Sequence, residues 1–435
     1  MSPSPSSPRR SGAVQLQLAS LIQTVLSLFV STRPPARLPA LSDDILQDIF
    51  LRIDSFADLA CASSTCANFR RIISDHSFLR RYRSLHPPLL LGFVAAGRQG
   101  FQPAGASHPN AAAADGFDND VGHRFYSYFV PGGRWSRQWV PCDVRDGRVL
   151  LKSVPNPKLF GLYNGVVWAD LAVFDPVFGR DILLPSITED LLASVEIEDH
   201  DIQCFQPVLV PYYGEDEDET SFKVIGRAYC GTKTVVFVFS RCSGSWIVGA
   251  SIRWDALGLD MPAYYDQTCH YAYGCFFWRL RIVNKLLKLD MNRMEFSTID
   301  LPLDLLPEYR PYQCIVLAEA GEGRLVMFSQ LYGGQPMYYY TTQHNRSEGP
   351  NVWQKKGTVP LPSPYICSLK CAAQGYIFLV GFTEDQGMSY PVCFSLEVKT
   401  FKIERIGDII RFKRWYNIDI YPYFGFPVSM SPRRL

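Results

Sequence analysis

Seven histidines and twelve cysteines are the side chains of this 435-residue chain best suited to bind a metal or attack a substrate. The histidines, His76, His86, His108, His123, His200, His270 and His344, are scattered, and no two share the spacing that puts a ligand pair on one element. No Cys-x-x-Cys occurs. The nearest approaches to a zinc site are Cys367-x-x-x-Cys371 and the group Cys269, His270 and Cys275, and neither has a regular four-ligand spacing. "DGFDND" (115–120) shares only its acidity with a calcium loop, because the glycine and the closing glutamate are misplaced. The chain has no G-x-S-x-G elbow, P-loop, G-x-G-x-x-G or H-E-x-x-H. These residues therefore predict buried thiols, no catalytic constellation, no metal site and no cofactor.

The cysteines are spread along the chain instead of framing a small disulfide-rich domain, which predicts a reducing compartment. The sequon Asn345-Arg346-Ser347 carries no meaning there. A formal net charge of +1 provides no field for nucleic acid or an acidic membrane surface. Residues 1–37 read as a disordered leader. Within it, 13–30 is nearly long and apolar enough for a signal or anchor, but Gln17, Ser20, Gln23, Thr24 and Ser27 give one polar helical face, as in an amphipathic helix.

Elements that could position function fall into two parts. Residues 94–122, rich in Ala, Gly and Asp, predict a flexible linker. From 123 to 435 the pattern is short apolar runs between Gly, Pro and Asp turns, such as "TVVFVFS" (234–240) and "GYIFLVGF" (375–382), which predicts a large all-β domain. Phe174-Asp175, Phe239-Ser240, Leu289-Asp290, Tyr340-Thr341 and Leu396-Glu397 end such runs at intervals of roughly 50 to 65 residues. Several are followed by a Leu-Pro pair, at Leu184-Pro185, Leu301-Pro302 and Leu361-Pro362. That period predicts propeller blades over a large sandwich. "EDEDE" (215–219) reads as a solvated loop. The aromatic stretches 262–278 and 336–343 read as packed blade, and 411–426 as a last strand with one solvated face.

Ahead of the β domain, "LSDDILQDIFLRIDSFADLACASSTCANFRRII" (41–73) has helical spacing. Ser42 is placed to cap a first helix with Leu46, Ile49, Phe50 and Ile53 on one face. Ser55 and Asp58 form a capping box for a second helix carrying Leu59. Ser63-Ser64 are placed to cap a third, with Cys66, Phe69, Ile72 and Ile73 on one side, and a fourth covers 77–85. So few residues bury too little surface to stand alone, so part of this face should dock on something.

Over 38–93 this segment resembles an F-box, the short helical module that binds the Skp-type adaptor of cullin-RING ubiquitin ligases. The context "FLRRYRSLHPPLLLGF" is similar to grass-type plant F-box proteins with a C-terminal F-box-associated β domain. The segment departs from the pattern in three places. Leu41-Ser42 stands for the usual Leu-Pro, with Leu38-Pro39 just upstream; the Asp54–Ala57 turn lacks the usual proline; Phe69 replaces a late tryptophan. The resemblance implies an α+β multidomain protein, with a small helical F-box module followed by a propeller-like β domain. Leu41, Ser42, Ile45, Leu46, Ile49, Phe50, Ile53, Leu59, Cys66, Phe69 and Ile73 would divide between the module's core and the adaptor contact. It also implies a non-catalytic substrate receptor, cytoplasmic or nuclear, whose partners are the adaptor, through it a cullin-RING ligase, and a target protein held by the β domain. The alternatives are an F-box-containing protein outside ubiquitin ligation, and a propeller enzyme or glycan binder with an unrelated helical cap.

Overall fold

A computed structural model of the chain describes residues 41–53, 56–95, 100–126, 137–155, 169–198, 201–211, 221–259, 265–280, 283–302, 313–331, 336–342, 352–383, 390–409 and 419–425. The leader at 1–37, the Ser55 cap, the acidic loop at 215–219 and the sequon lie outside them. The chain divides into two units, Met1–Leu85 and His86–Leu435. Among the described residues no helix is long and apolar enough to cross a membrane.

The second unit is a six-bladed β-propeller. Its first strands are β1 (Leu89–Ala95) and β2 (Phe101–Pro103). One four-stranded blade follows as β3 (Arg137–Arg145), β4 (Arg148–Pro155), β5 (Leu171–Asp175) and β6 (Arg180–Leu183). The next is β7 (Ile202–Val210), β8 (Lys223–Cys230), β9 (Lys233–Ser240) and β10 (Ser245–Arg253). Then come β11 (Tyr265–Ala272), β12 (Cys275–Leu280), β13 (Lys285–Asp290) and β14 (Glu295–Asp300). They are followed by β15 (Gln313–Glu319), β16 (Leu325–Leu331), β17 (Met337–Thr342) and β18 (Trp353–Val359). The fifth set is β19 (Ile366–Ala373), β20 (Tyr376–Phe382), β21 (Val392–Glu397) and β22 (Ile403–Asp408). Last comes β23 (Ile420–Gly425), which pairs antiparallel with β1 to make a sixth sheet in the order β2-β1-β23.

The sequence period maps onto this architecture. The five run-ending pairs lie at or near the ends of β5, β9, β13, β17 and β21, the third strand of each four-stranded blade. Second and third strands are largely buried on both faces, which explains unbroken apolar runs such as Val235–Phe239. Fourth strands are the outer edges, and β6, β14 and β18 are accordingly polar and exposed. Six apolar clusters fill the six gaps between neighbouring blades, for example Val173 with Val224 and Phe237, or Phe277 with Leu317 and Met327.

Two expectations are corrected. Within 94–122 the described residues, 94–95 and 100–122, are not a linker, and the β domain does not begin at 123. They hold the end of β1, β2 and helix α5 (Ala111–Phe117; the helical unit's four helices are named below), and bury Phe101, Ala104, Ala114, Phe117 and Val121 beside the closing blade. Their low share of large apolar residues hid this, because small residues let α5 approach the sheet closely. Of the stretch 411–426 only 419–425 lies within the described residues, and there the strand is not solvated on one face: Ile420, Pro422, Tyr423 and Phe424 are buried, since β23 lies innermost in the closing blade.

Gly92 sits in β1 between β2 and β23 at φ +155°, and a Cβ there would fall 2.1 Å from the Gln102 carbonyl oxygen. Gly92→Ala is expected to destabilise the propeller by about 3 kcal/mol, read from urea unfolding.

Candidate functional site

The helical unit comprises α1 (Asp43–Phe50), α2 (Phe56–Thr65), α3 (Ala67–Ile73) and α4 (His76–Leu85). Ser42 caps α1 by accepting the Ile45 N–H at 3.4 Å, with Asp43 and Asp44 at the positive helix end. Ser63 and Ser64 do not cap α3 as expected: they lie inside α2, where the Ser64 hydroxyl donates to the Cys61 carbonyl. Cys66 takes the capping role, its Sγ accepting the Phe69 N–H at 3.5 Å. Asp75 accepts the backbone N–H groups of Ser77 and Phe78 at the start of α4.

The predicted docking residues separate into two sets. Leu46, Phe50, Leu59 and Ile73 are buried and form the unit's own core, where the Phe50 ring meets Phe69 at 4.9 Å and Phe78 at 6.4 Å. Ile53 and Phe69 are half-buried, and the Ile53 carbonyl accepts the Tyr82 hydroxyl at 2.6 Å. Ser42 and Cys66 are exposed and act as caps. Leu41, Ile45 and Ile49 are 52%, 49% and 43% exposed. Ile45 and Ile49, four residues apart, line up on α1 beside the row of Leu46 and Phe50, and Leu41 stands at the same spacing just ahead of the Ser42 cap, so the three make one exposed apolar stripe. The Arg71–Asp43 ion pair at 2.5 Å ties α3 to the start of α1.

In the propeller, the innermost strands β3, β7, β11, β15 and β19 each carry one half-buried cysteine: Cys142, Cys204, Cys269, Cys314 and Cys371. Several of these strands are irregular there, with register shifts between Pro141 and Asp143, Ile202 and Cys204, and Leu369 and Cys371. Burial pushes the thiols of Cys142, Cys204, Cys269 and Cys371 up, Cys269 and Cys371 to about 12, with Arg145 pulling the other way in those two. These four are protonated at neutral pH and unsuited to nucleophilic work. Among the described residues no group of three or more His, Cys, Asp or Glu could hold a metal ion.

The groups that sequence reasoning missed are Asp143 and Arg145 on β3. Asp143 accepts the Leu209 N–H of β7 at 2.8 Å, the Arg145 Nε–H at 2.9 Å and the Val144 N–H at 3.0 Å. The Arg145 guanidinium lies over the rings of Tyr271 at 5.6 Å and Phe276 at 5.8 Å. Burial works against its charge, and Asp143 and its other neighbours more than offset that. The pair links three consecutive blades. Its only sequence signal is Asp-x-Arg ahead of the Asp146-Gly147 turn, where alternate strand positions share a face.

No family model matches the chain, and no curated protein matches it in sequence. Among solved structures, a GH43 protein from Bacillus licheniformis aligns at a TM-score of 0.30 and 12% identity, over 66% of this chain and 60% of its own. YCF48 from Cyanidioschyzon merolae aligns at 0.34 and 9% identity, over 62% and 71%. A post-proline cleaving enzyme from Rickettsia typhi aligns at 0.34 and 9%, over 70% and 42%. The chain thus spans 60% of the GH43 protein and 42% of the post-proline cleaving enzyme. At such scores the likeness carries no statement about activity.

Asp143→Ala leaves the Arg145 guanidinium largely buried without its carboxylate, and should cost about 3 kcal/mol in urea unfolding. In the native protein a thiol reagent at neutral pH should titrate the exposed Cys61, Cys66 and Cys242 quickly, and the inner-strand cysteines only after unfolding.

Proposed function

We propose that this protein is the substrate-recognition subunit of a Skp–cullin–F-box ubiquitin ligase, with the helical unit as an F-box and the propeller as the platform that holds a target protein. The observation that carries the reading is the exposed stripe of Leu41, Ile45 and Ile49. An aliphatic row left exposed beside a helix face already buried through Leu46 and Phe50 suits a partner protein, because water gains nothing from contact with it. In this reading the chain contributes proximity, raising the effective concentration of target lysines near the conjugating enzyme, and carries no catalytic group. The cytoplasm and nucleus suit its free thiols.

A second reading, a propeller enzyme or glycan binder with an unrelated helical cap, is favoured by the Asp143–Arg145 pair on the innermost strand β3. Asp143 already accepts three N–H groups, which suits a structural tie better than a general acid or base.

Ile45→Asp and Ile49→Asp replace exposed side chains, so each should leave the thermal melt unchanged while weakening capture of the Skp-type adaptor by about 30-fold or more. Phe50→Asp is not a clean probe, because Phe50 belongs to the core. Unaltered adaptor capture by both isoleucine variants, or no capture by the wild-type chain, would sink the receptor reading. Capture of adaptor without cullin would support the F-box module but place the protein outside ubiquitin ligation.

A further inference from the structure

Between the closing blade and its neighbour, the turn after β2 and the strands β20–β22 enclose a recess of about 230 Å³. Pocket volumes for drug-sized ligands run from about 300 Å³ upward, so this one suits a single small ring. Its wall is well built. Gly105 N–H donates to the Ile406 carbonyl at 2.6 Å, His108 N–H to the Gly105 carbonyl at 2.8 Å, and the Asn110 side chain to the Leu90 carbonyl at 3.1 Å.

His108 is the key group. It is only 6% exposed, yet it lines the recess. Its Nδ1 accepts the Asn110 N–H at 3.1 Å, so in the neutral ring the proton sits on Nε2. Burial favours that neutral ring, with Glu404 opposing. Nε2 is 3.8 Å from Glu404 Oε2, too far for a hydrogen bond. Lys402 holds the other oxygen, Oε1, at 2.5 Å. The far wall carries Tyr376, whose phenol burial keeps protonated with Glu397 and Glu404 adding to the effect, and Glu397, which accepts the Thr400 hydroxyl at 2.6 Å.

A nearly buried N–H donor and a carboxylate acceptor thus face one space without satisfying each other. A cation would pair with Glu404 but meet the His108 N–H head-on. An anion would meet two carboxylates. A hydroxyl group does both jobs, accepting from Nε2 and donating to Oε2. The Tyr376 ring, Leu90 and Pro109 supply apolar surface for ring carbons.

We propose that this recess binds one neutral polyhydroxylated ring, a monosaccharide or cyclitol, through His108, Glu404 and Tyr376. The inference is independent of the receptor reading, since it concerns only the propeller. The test is saturation-transfer NMR and calorimetry on the full chain with glucose, galactose, mannose, xylose and myo-inositol, and with arginine and spermidine as cationic controls. At least one neutral probe should bind, with affinity falling about tenfold or more in Glu404→Gln and Tyr376→Ala. His108→Gln, checked by its thermal melt, should weaken binding in the same way. Because Tyr376 is only half-buried, its variant keeps the test valid if the His108 variant unfolds. Binding of the cations alone, binding insensitive to all three substitutions, or no binding of any neutral probe, leaving ordered water as the only occupant, would each overturn the proposal.

Discussion

The propeller depends on ring closure, and closure depends on β1 and β23 finding each other across more than three hundred residues of intervening chain. Each blade is a sheet whose two faces are both apolar, so any blade without neighbours on both sides exposes one of them to water. Pairing of Leu89–Ala95 with Ile420–Gly425 removes that fault, and the last two of the six interblade clusters form only with it. Tyr423 reinforces the join: its hydroxyl donates to the Gly147 carbonyl at 3.1 Å, and its ring packs with Phe101, Phe117 and Phe125. Gly92 allows the join by letting three strands approach where a side chain would strike backbone.

Closure also explains why polar groups gather on the inner strands. Side chains that point toward a shared axis from several blades come within a few ångströms of each other, so charges there need partners. Asp143 meets that need by taking N–H groups from two blades and steadying Arg145 over the Tyr271 ring. The thiols on five inner strands are small enough to fill the crowded centre without demanding strong hydrogen bonds. The helical unit follows opposite rules. Its core is a few rings and aliphatic side chains held by caps at Ser42, Cys66 and Asp75, and Leu41, Ile45 and Ile49 are left facing out.

Much of the fold was readable because a blade repeats a physical pattern: a strand buried on both faces must be apolar throughout, and a turn must end it. The run-ending pairs from Phe174-Asp175 to Leu396-Glu397 follow from that and recur once per blade. Residues 94–122 were misread for the same reason, since their burial comes from close packing of alanines and two phenylalanines, which leaves no period in the sequence. Ser63 and Ser64 were misread as caps because a serine can bond its own helix as readily as start the next one.

The candidate sites divide along the same line. Local spacing alone put Leu46, Ile49 and Phe50 on one helix and Ser42 at its start, since a 3.6-residue period and a cap involve only near neighbours. Which of them face outward was decided by where Phe69, Phe78 and Tyr82 pack, and that is a tertiary fact. Asp143 beside Leu209, or His108 across from Glu404, joins residues dozens to hundreds of positions apart. No composition or period encodes such a meeting. It exists because six sheets close into a ring, and ring closure brings distant strands to one axis and distant turns to one edge.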